Sequence, residues 1–186
     1  MRSVRPILLV SLMLAACTSE VPEWHAYPAK PTPELAAKKS KAESTRDALM
    51  KNLLAALQTA MKDGGPVAGI EVCNLKAPQV LKDLNTSDVR VGRTSHRLRN
   101  PANHAPTWAQ PFVDSKASKP IVLVDRTSRL HALYPIKLKA QCVTCHGKPE
   151  QIPDAVKKAI TERYPTDQAT GFAVDDLRGW LWVEVD

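Results

Sequence analysis

The chain has 186 residues, a formal net charge of +7 from 26 basic and 19 acidic residues, and four cysteines. That length makes one domain with a single modest core, and no internal repeat or low-complexity segment interrupts it. The basic excess suits anionic lipid, nucleic acid or an acidic partner, and the N-terminus excludes nucleic acid because it reads as an export signal.

Residues 1–16 form that signal. Arg2 and Arg5 precede a short apolar run, residues 7–14, which closes on Leu14-Ala15-Ala16-Cys17. The run is about half the roughly 20 residues that span a bilayer, so it is not a permanent transmembrane helix. The small pair before Cys17 resembles a lipobox, and Cys17 would become the lipidated first residue of an exported lipoprotein, with membrane lipid as its partner. Thr18 is not the aspartate that commonly retains lipoproteins at an inner membrane, so a periplasmic location on the outer membrane is expected. Residues 17–33 hold Pro22, Pro28, Pro31 and Pro33 and read as an extended, semi-rigid spacer that includes His25.

From residue 34 onward the chain reads as one folded domain. Met50, Leu53, Leu54, Leu57 and Met61 recur at helical spacing up to a stop at Gly64-Gly65. Methionine in such a stripe is packing material. A second helical stretch over residues 67–84 is expected to break near Pro78 and contains Cys73. Residues 89–91 read as a brief strand. Residues 120–124 and 130–138, joined by a polar turn at 125–128, read as an antiparallel hairpin. Residues 155–164 return to helical spacing, and residues 180–185 alternate as a closing strand. The order of elements predicts an α+β domain.

After the hairpin comes Cys142-Val-Thr-Cys145-His146. In this spacing two thiols can add across the vinyl groups of one haem c while the next residue, His146, sits beneath the iron. The rival readings are weaker. A thioredoxin-type pair should open a helix in a βαβ unit, and a zinc ion would require Cys145 and its neighbour His146 to share one tetrahedron. With Cys17 taken by lipid and Cys142 and Cys145 by haem, Cys73 is left without a disulfide partner. It reads either as a small buried apolar residue or as the second axial ligand. His25, His96, His104 and His131 compete for that position. Arg93, Arg97 and Arg99 crowd the loop before Pro101. They read equally as a solvated basic face or as forks for the haem propionates.

Several runs together resemble one family, the PAS-like haem domains whose cyanobacterial member is a c-type cytochrome with cysteine and histidine axial ligands. They are Val72-Cys73 with Ala77-Pro78, Gly92-Arg93-Thr94-Ser95, Leu98-Arg99-Asn100-Pro101, Trp108, Pro135-Ile136, Cys142 to Gly147, Tyr164-Pro165, Asp167, Ala169, Gly171-Phe172 and Gly179. The resemblance covers nearly everything after the spacer. It implies a PAS-like antiparallel sheet preceded by and interspersed with helices, His146 as one axial ligand and Cys73 as the other. The end departs from the family pattern: Asp175-Asp176 and the pair Trp180 and Trp182 stand where a Gly-Asp turn and a small residue are usual.

Cysteine/histidine ligation implies a low-potential one-electron carrier serving an unidentified periplasmic redox protein. The alternative is a redox or diatomic-gas sensor that acts through a signalling partner. A filled sixth position disfavours an enzyme.

Overall fold

The computed structural model describes residues 24–186. The signal peptide and Cys17 lie outside the described residues, as does the first part of the spacer. The last part is not a spacer: Trp24–Ala26 forms strand β1, antiparallel to β3 (Ile121–Asp125), with His25 opposite Val124.

Helix α1 spans Pro33–Leu84. Thr32 caps it by accepting the Leu35 amide at 3.3 Å, and Pro33 occupies the first turn, where its missing N–H costs nothing. The expected stop is real. Gly65 leaves helical geometry at φ 69°, ψ −166°, a conformation open to glycine, and divides α1 into two arms. The arms meet closely, since a Cβ on Gly69 would lie 2.9 Å from Met61 Sδ. Met50 packs against the sheet core. Both methionines are therefore packing residues. Pro78 does not break the second arm, contrary to the sequence expectation. The arm continues to Leu84 because Ile70 and Ala77 are buried along it, and that packing offsets the roughly 3 kcal/mol an internal proline costs.

Five antiparallel strands lie in the order β1-β3-β4-β5-β2. Here β2 is Val89–Thr94, longer than the brief strand expected, β4 is Leu130–Lys137, and β5 is Leu177–Val185. Alternation assigns the two faces. Val89, Val91, Ala132, Tyr134, Leu181 and Val183 face the helix side with Ala42 and Leu49 of α1. Leu133 and Trp180 face the other way, beneath Trp108, Ala109 and Val113.

That outer layer is the segment 101–117, with a short helix α2 (Gln110–Asp114), an element that local sequence pattern does not signal. Trp180 and Trp182 fit because of it. Trp180 is fully buried and donates Nε1–H to the Ala117 carbonyl at 2.8 Å. Trp182 crosses over Gly92, where an added Cβ would sit 2.3 Å from its ring. Helix α3 (Val143–His146) follows β4, and α4 (Asp154–Arg163) packs Val156 and Ile160 against Ile70 of α1. The result is the expected α+β architecture, a PAS-like antiparallel sheet with helices before and between its strands. Among the described residues no helix is long and apolar enough to cross a membrane.

Candidate cofactor site

The site begins where β4 ends. Leu138 donates its amide to Asp176 and accepts that of Asp175, at 3.0 and 2.9 Å, which pins the strand end to the start of β5. The chain then coils through Ala140–Cys142 into α3. Helical spacing sets Cys142 and Cys145 on one side with His146 beside them. Gly147 closes the turn with its amide 2.7 Å from the Val143 carbonyl, and a Cβ there would stand 2.5 Å from that same oxygen. The close approach requires glycine.

His146 donates Nδ1–H to the Ala169 carbonyl at 2.7 Å. A carbonyl can only accept, so Nε2 keeps its lone pair, the arrangement found behind metal-bound imidazoles. Burial holds the ring's pKa well below its ordinary value, and the cations Arg99, Arg178 and Arg93 push the same way. His146 is neutral at pH 7, the form that ligates a metal.

Arg99 locks this turn in place. It grips both oxygens of Asp167 at 3.0 and 3.2 Å and donates to the carbonyls of Cys145 at 2.6 Å and Ala169 at 3.3 Å. Asp167 in turn accepts the Ala169 amide. Arg97 serves a parallel purpose. Its Nε donates to the Gln168 carbonyl at 2.9 Å, Nη2 donates to that of Thr170, and the guanidinium lies 4.4 Å from the Phe172 ring centre.

A cleft of about 170 Å³ opens beside the turn, walled by Cys73, Arg93, Arg99, His146, Tyr164 and Arg178. Cys73, on the second arm of α1, thus shares one cavity with His146. Burial raises the Cys145 thiol pKa, reinforced by Cys73 and Cys142, and the Tyr164 hydroxyl is raised by burial and by Cys73. A second hollow of about 150 Å³, lined by Met50, Leu53, Leu54, Leu57 and Val72, also borders Cys73 and Arg93. Each alone is smaller than the roughly 300–1,000 Å³ of a small-molecule pocket. Arg93, whose buried Nε has no hydrogen-bond partner, edges both.

These groups fit a covalently attached haem. Cys142 and Cys145 are free thiols on the turn that carries the neutral His146, Cys73 lines the cleft that His146 lines, and three arginines wall it. Among the described residues no three His, Cys, Asp or Glu side chains are close enough to hold a bare metal ion.

The four competing histidines are elsewhere. His25 is exposed on the edge strand. His96 and His104 line a separate hollow. His131 is buried on the outer face of the sheet, hydrogen-bonded to Asp125 at 3.0 Å and flanked by the rings of Trp24 and Trp108. Sequence reasoning missed Arg178 and Tyr164. Arg178 lies in a strand whose alternation gives no hint of an inward cation, whereas Tyr164 sits at the end of an apolar stripe and reads as core.

A family model described as Tll0287-like matches residues 32–185. The crystal structure of the cyanobacterial heme-protein Tll0287 is similar at 24% identity and a TM-score of 0.59, covering 83% of this chain and 96% of that one. No curated protein matches.

Proposed function

The chain belongs to the Tll0287-like family, and from that premise we propose that it is a monohaem c-type cytochrome that transfers single electrons at low potential. Cys142 and Cys145 would hold haem c through thioether bonds, with His146 and Cys73 as its axial ligands. The observation that most supports this is the His146 ring, kept neutral with Nδ1–H fixed on Ala169, in a cleft that Cys73 also lines. Bound haem supplies the one-electron couple.

The protein's own residues do the rest. Ala169 and Arg99 fix the imidazole and the turn that carries it, and Gly147 lets that turn close. Cys73 would supply the sulfur donor to the bound haem, a ligand type that would favour ferric iron and a lower potential than a His/Met pair gives. If His146 and Cys73 both held the haem, little room would be left for a substrate, and the protein would carry electrons rather than turn one over. Cys17 would carry the lipid, placing the domain in the periplasm, on the outer membrane, where an unidentified redox protein exchanges electrons with it.

One observation favours sensing as a second reading. The hollow beside Cys73 is lined mainly by apolar side chains, and cavities of about 150 Å³ of that character admit small apolar molecules. A diatomic gas could replace Cys73 after reduction, with the state relayed through a partner protein.

A redox titration followed by visible spectroscopy, with carbon monoxide added at the reduced end, separates the two. Electron transfer predicts a low midpoint and no carbon monoxide complex, whereas a rapid stoichiometric complex favours sensing. A mature mass without the haem addition refutes both.

A further inference from the structure

Arg93, Arg99 and Arg178 line the cleft, Arg97 braces the 168–172 segment, and the commitments of the four differ. Arg97 is spent on two backbone carbonyls and the Phe172 ring. Arg99 is spent on Asp167 and two more carbonyls. Arg93 and Arg178 have no carboxylate partner among the described residues. Arg93 makes one long contact, Nη2 to the Cys73 carbonyl at 3.4 Å, and its buried Nε bonds to nothing. Arg178 donates Nη1–H to Ser95 Oγ at 2.8 Å and to the Arg97 carbonyl at 3.2 Å. Both line the cleft that holds Cys73 and His146.

We propose that Arg93 and Arg178 form the subsite that binds the two propionate carboxylates of the cofactor, while Arg97 and Arg99 serve the protein's own backbone. This rests on the haem reading of the cleft. The sequence offers Arg93, Arg97 and Arg99 as equals, and the structure separates them by what each guanidinium already holds.

The geometry of Arg178 supports a binding role. Ser95 Oγ donates to the Arg178 carbonyl at 2.6 Å and accepts from the Arg178 guanidinium and from the Arg97 amide at 3.0 Å. One hydroxyl therefore fixes both ends of the residue, so little side-chain entropy is left to lose on binding. Burial, with Arg99 and Arg93 nearby, lowers the Arg178 pKa to about 10. A buried cation among like charges is costly unless an anion joins it. Two unpaired guanidinium groups match two carboxylates, each grippable by a two-pronged hydrogen bond.

The test uses the haem-loaded chain and its variants Arg178→Gln, Arg93→Gln, the double variant, Arg178→Lys and Arg97→Gln. Covalent haem is confirmed by mass, then the propionate signals are read by resonance Raman and NMR and the midpoint by titration. The double variant is expected to keep its haem, shift the propionate signals, and lower the midpoint by about 59 mV or more, a tenfold change for one electron. Arg178→Lys should restore part of the shift, and Arg97→Gln, which loosens only the 168–172 segment, should move the propionate signals less than either cleft variant. Haem-loaded Arg178→Gln and Arg93→Gln proteins with wild-type propionate signals would overturn the assignment while leaving the haem reading intact, as would a larger shift in Arg97→Gln. A wild-type chain that carries no haem would overturn both.

Discussion

Asp167→Ala is the sharpest test of how the histidine turn is held. Asp167 and Arg99 are each about nine-tenths buried, and the pair makes two hydrogen bonds of 3.0 and 3.2 Å. Deleting the acid leaves a buried guanidinium without a counter-charge, which costs about 3–5 kcal/mol. It also strands the Ala169 amide that Asp167 accepts, whose loss adds roughly 1 kcal/mol or more. Against a total stability of about 5–15 kcal/mol, the variant should unfold at a much lower urea midpoint with an unchanged slope. Urea titration followed by far-UV circular dichroism measures this. Replacing both partners, as Arg99→Met with Asp167→Leu, removes the orphan charge but strands the Cys145 and Ala169 carbonyls, so it should recover only part of the loss. An Asp167→Ala protein within about 1 kcal/mol of wild type would refute the view that this pair bolts the turn.

Three further outcomes are expected. Gly147→Ala drives a Cβ into the Val143 carbonyl and should cost about 1–3 kcal/mol while lowering haem attachment, read by mass spectrometry. Cys73→Ala should keep the covalent haem, change the visible spectrum and raise the midpoint, because the donor thiolate is gone; an unchanged spectrum rejects Cys73 as a ligand. Acid should loosen the outer face of the sheet. Burial alone would raise Asp125, but hydrogen bonds from Thr127, His131 and Arg129 prevail and lower its pKa from 3.8 to about 2. Burial would likewise raise Glu184, and His131, Trp108 and Arg90 hold it down. A lowered carboxylate stabilises the fold above its unfolded pKa and loses that contribution as pH falls through the folded one. Asp125 should therefore surrender on the order of 1 kcal/mol, after solvent screening, between about pH 4 and 2. Asp125→Asn should flatten that part of a stability-versus-pH curve.

Local pattern carried much of this structure and failed where partners are distant. The stripe through Met50, Leu57 and Met61 and the Gly65 stop were readable because helix signals lie within a few residues of each other. The hairpin of β3 and β4 was readable for the same reason. Strand β1 was hidden inside a proline-rich run because its evidence is a ladder to residues about a hundred positions away. Pro78 carries a local penalty that only the buried face of α1 overrides. Cys142, Cys145 and His146 announce themselves by spacing, whereas Cys73 emerged from counting thiols and from family likeness. The arginines show the limit most clearly. Charge can be read from a sequence, but whether Arg97, Arg99 or Arg178 has an anion left to find depends on which carbonyls fold against it.

Strand β1 also sets the length of a leash. Were residues 17–33 all free, a lipid at Cys17 could let the domain drift roughly 60 Å from the bilayer. Because Trp24–Ala26 is stitched to the edge of the sheet, the seven-residue separation from Cys17 to Trp24 caps the distance between lipid and sheet at roughly 25 Å. Under the proposed anchoring the domain would stay close to the lipid surface. A membrane-bound partner would meet it within that narrow layer, and a soluble partner would have to come to the membrane.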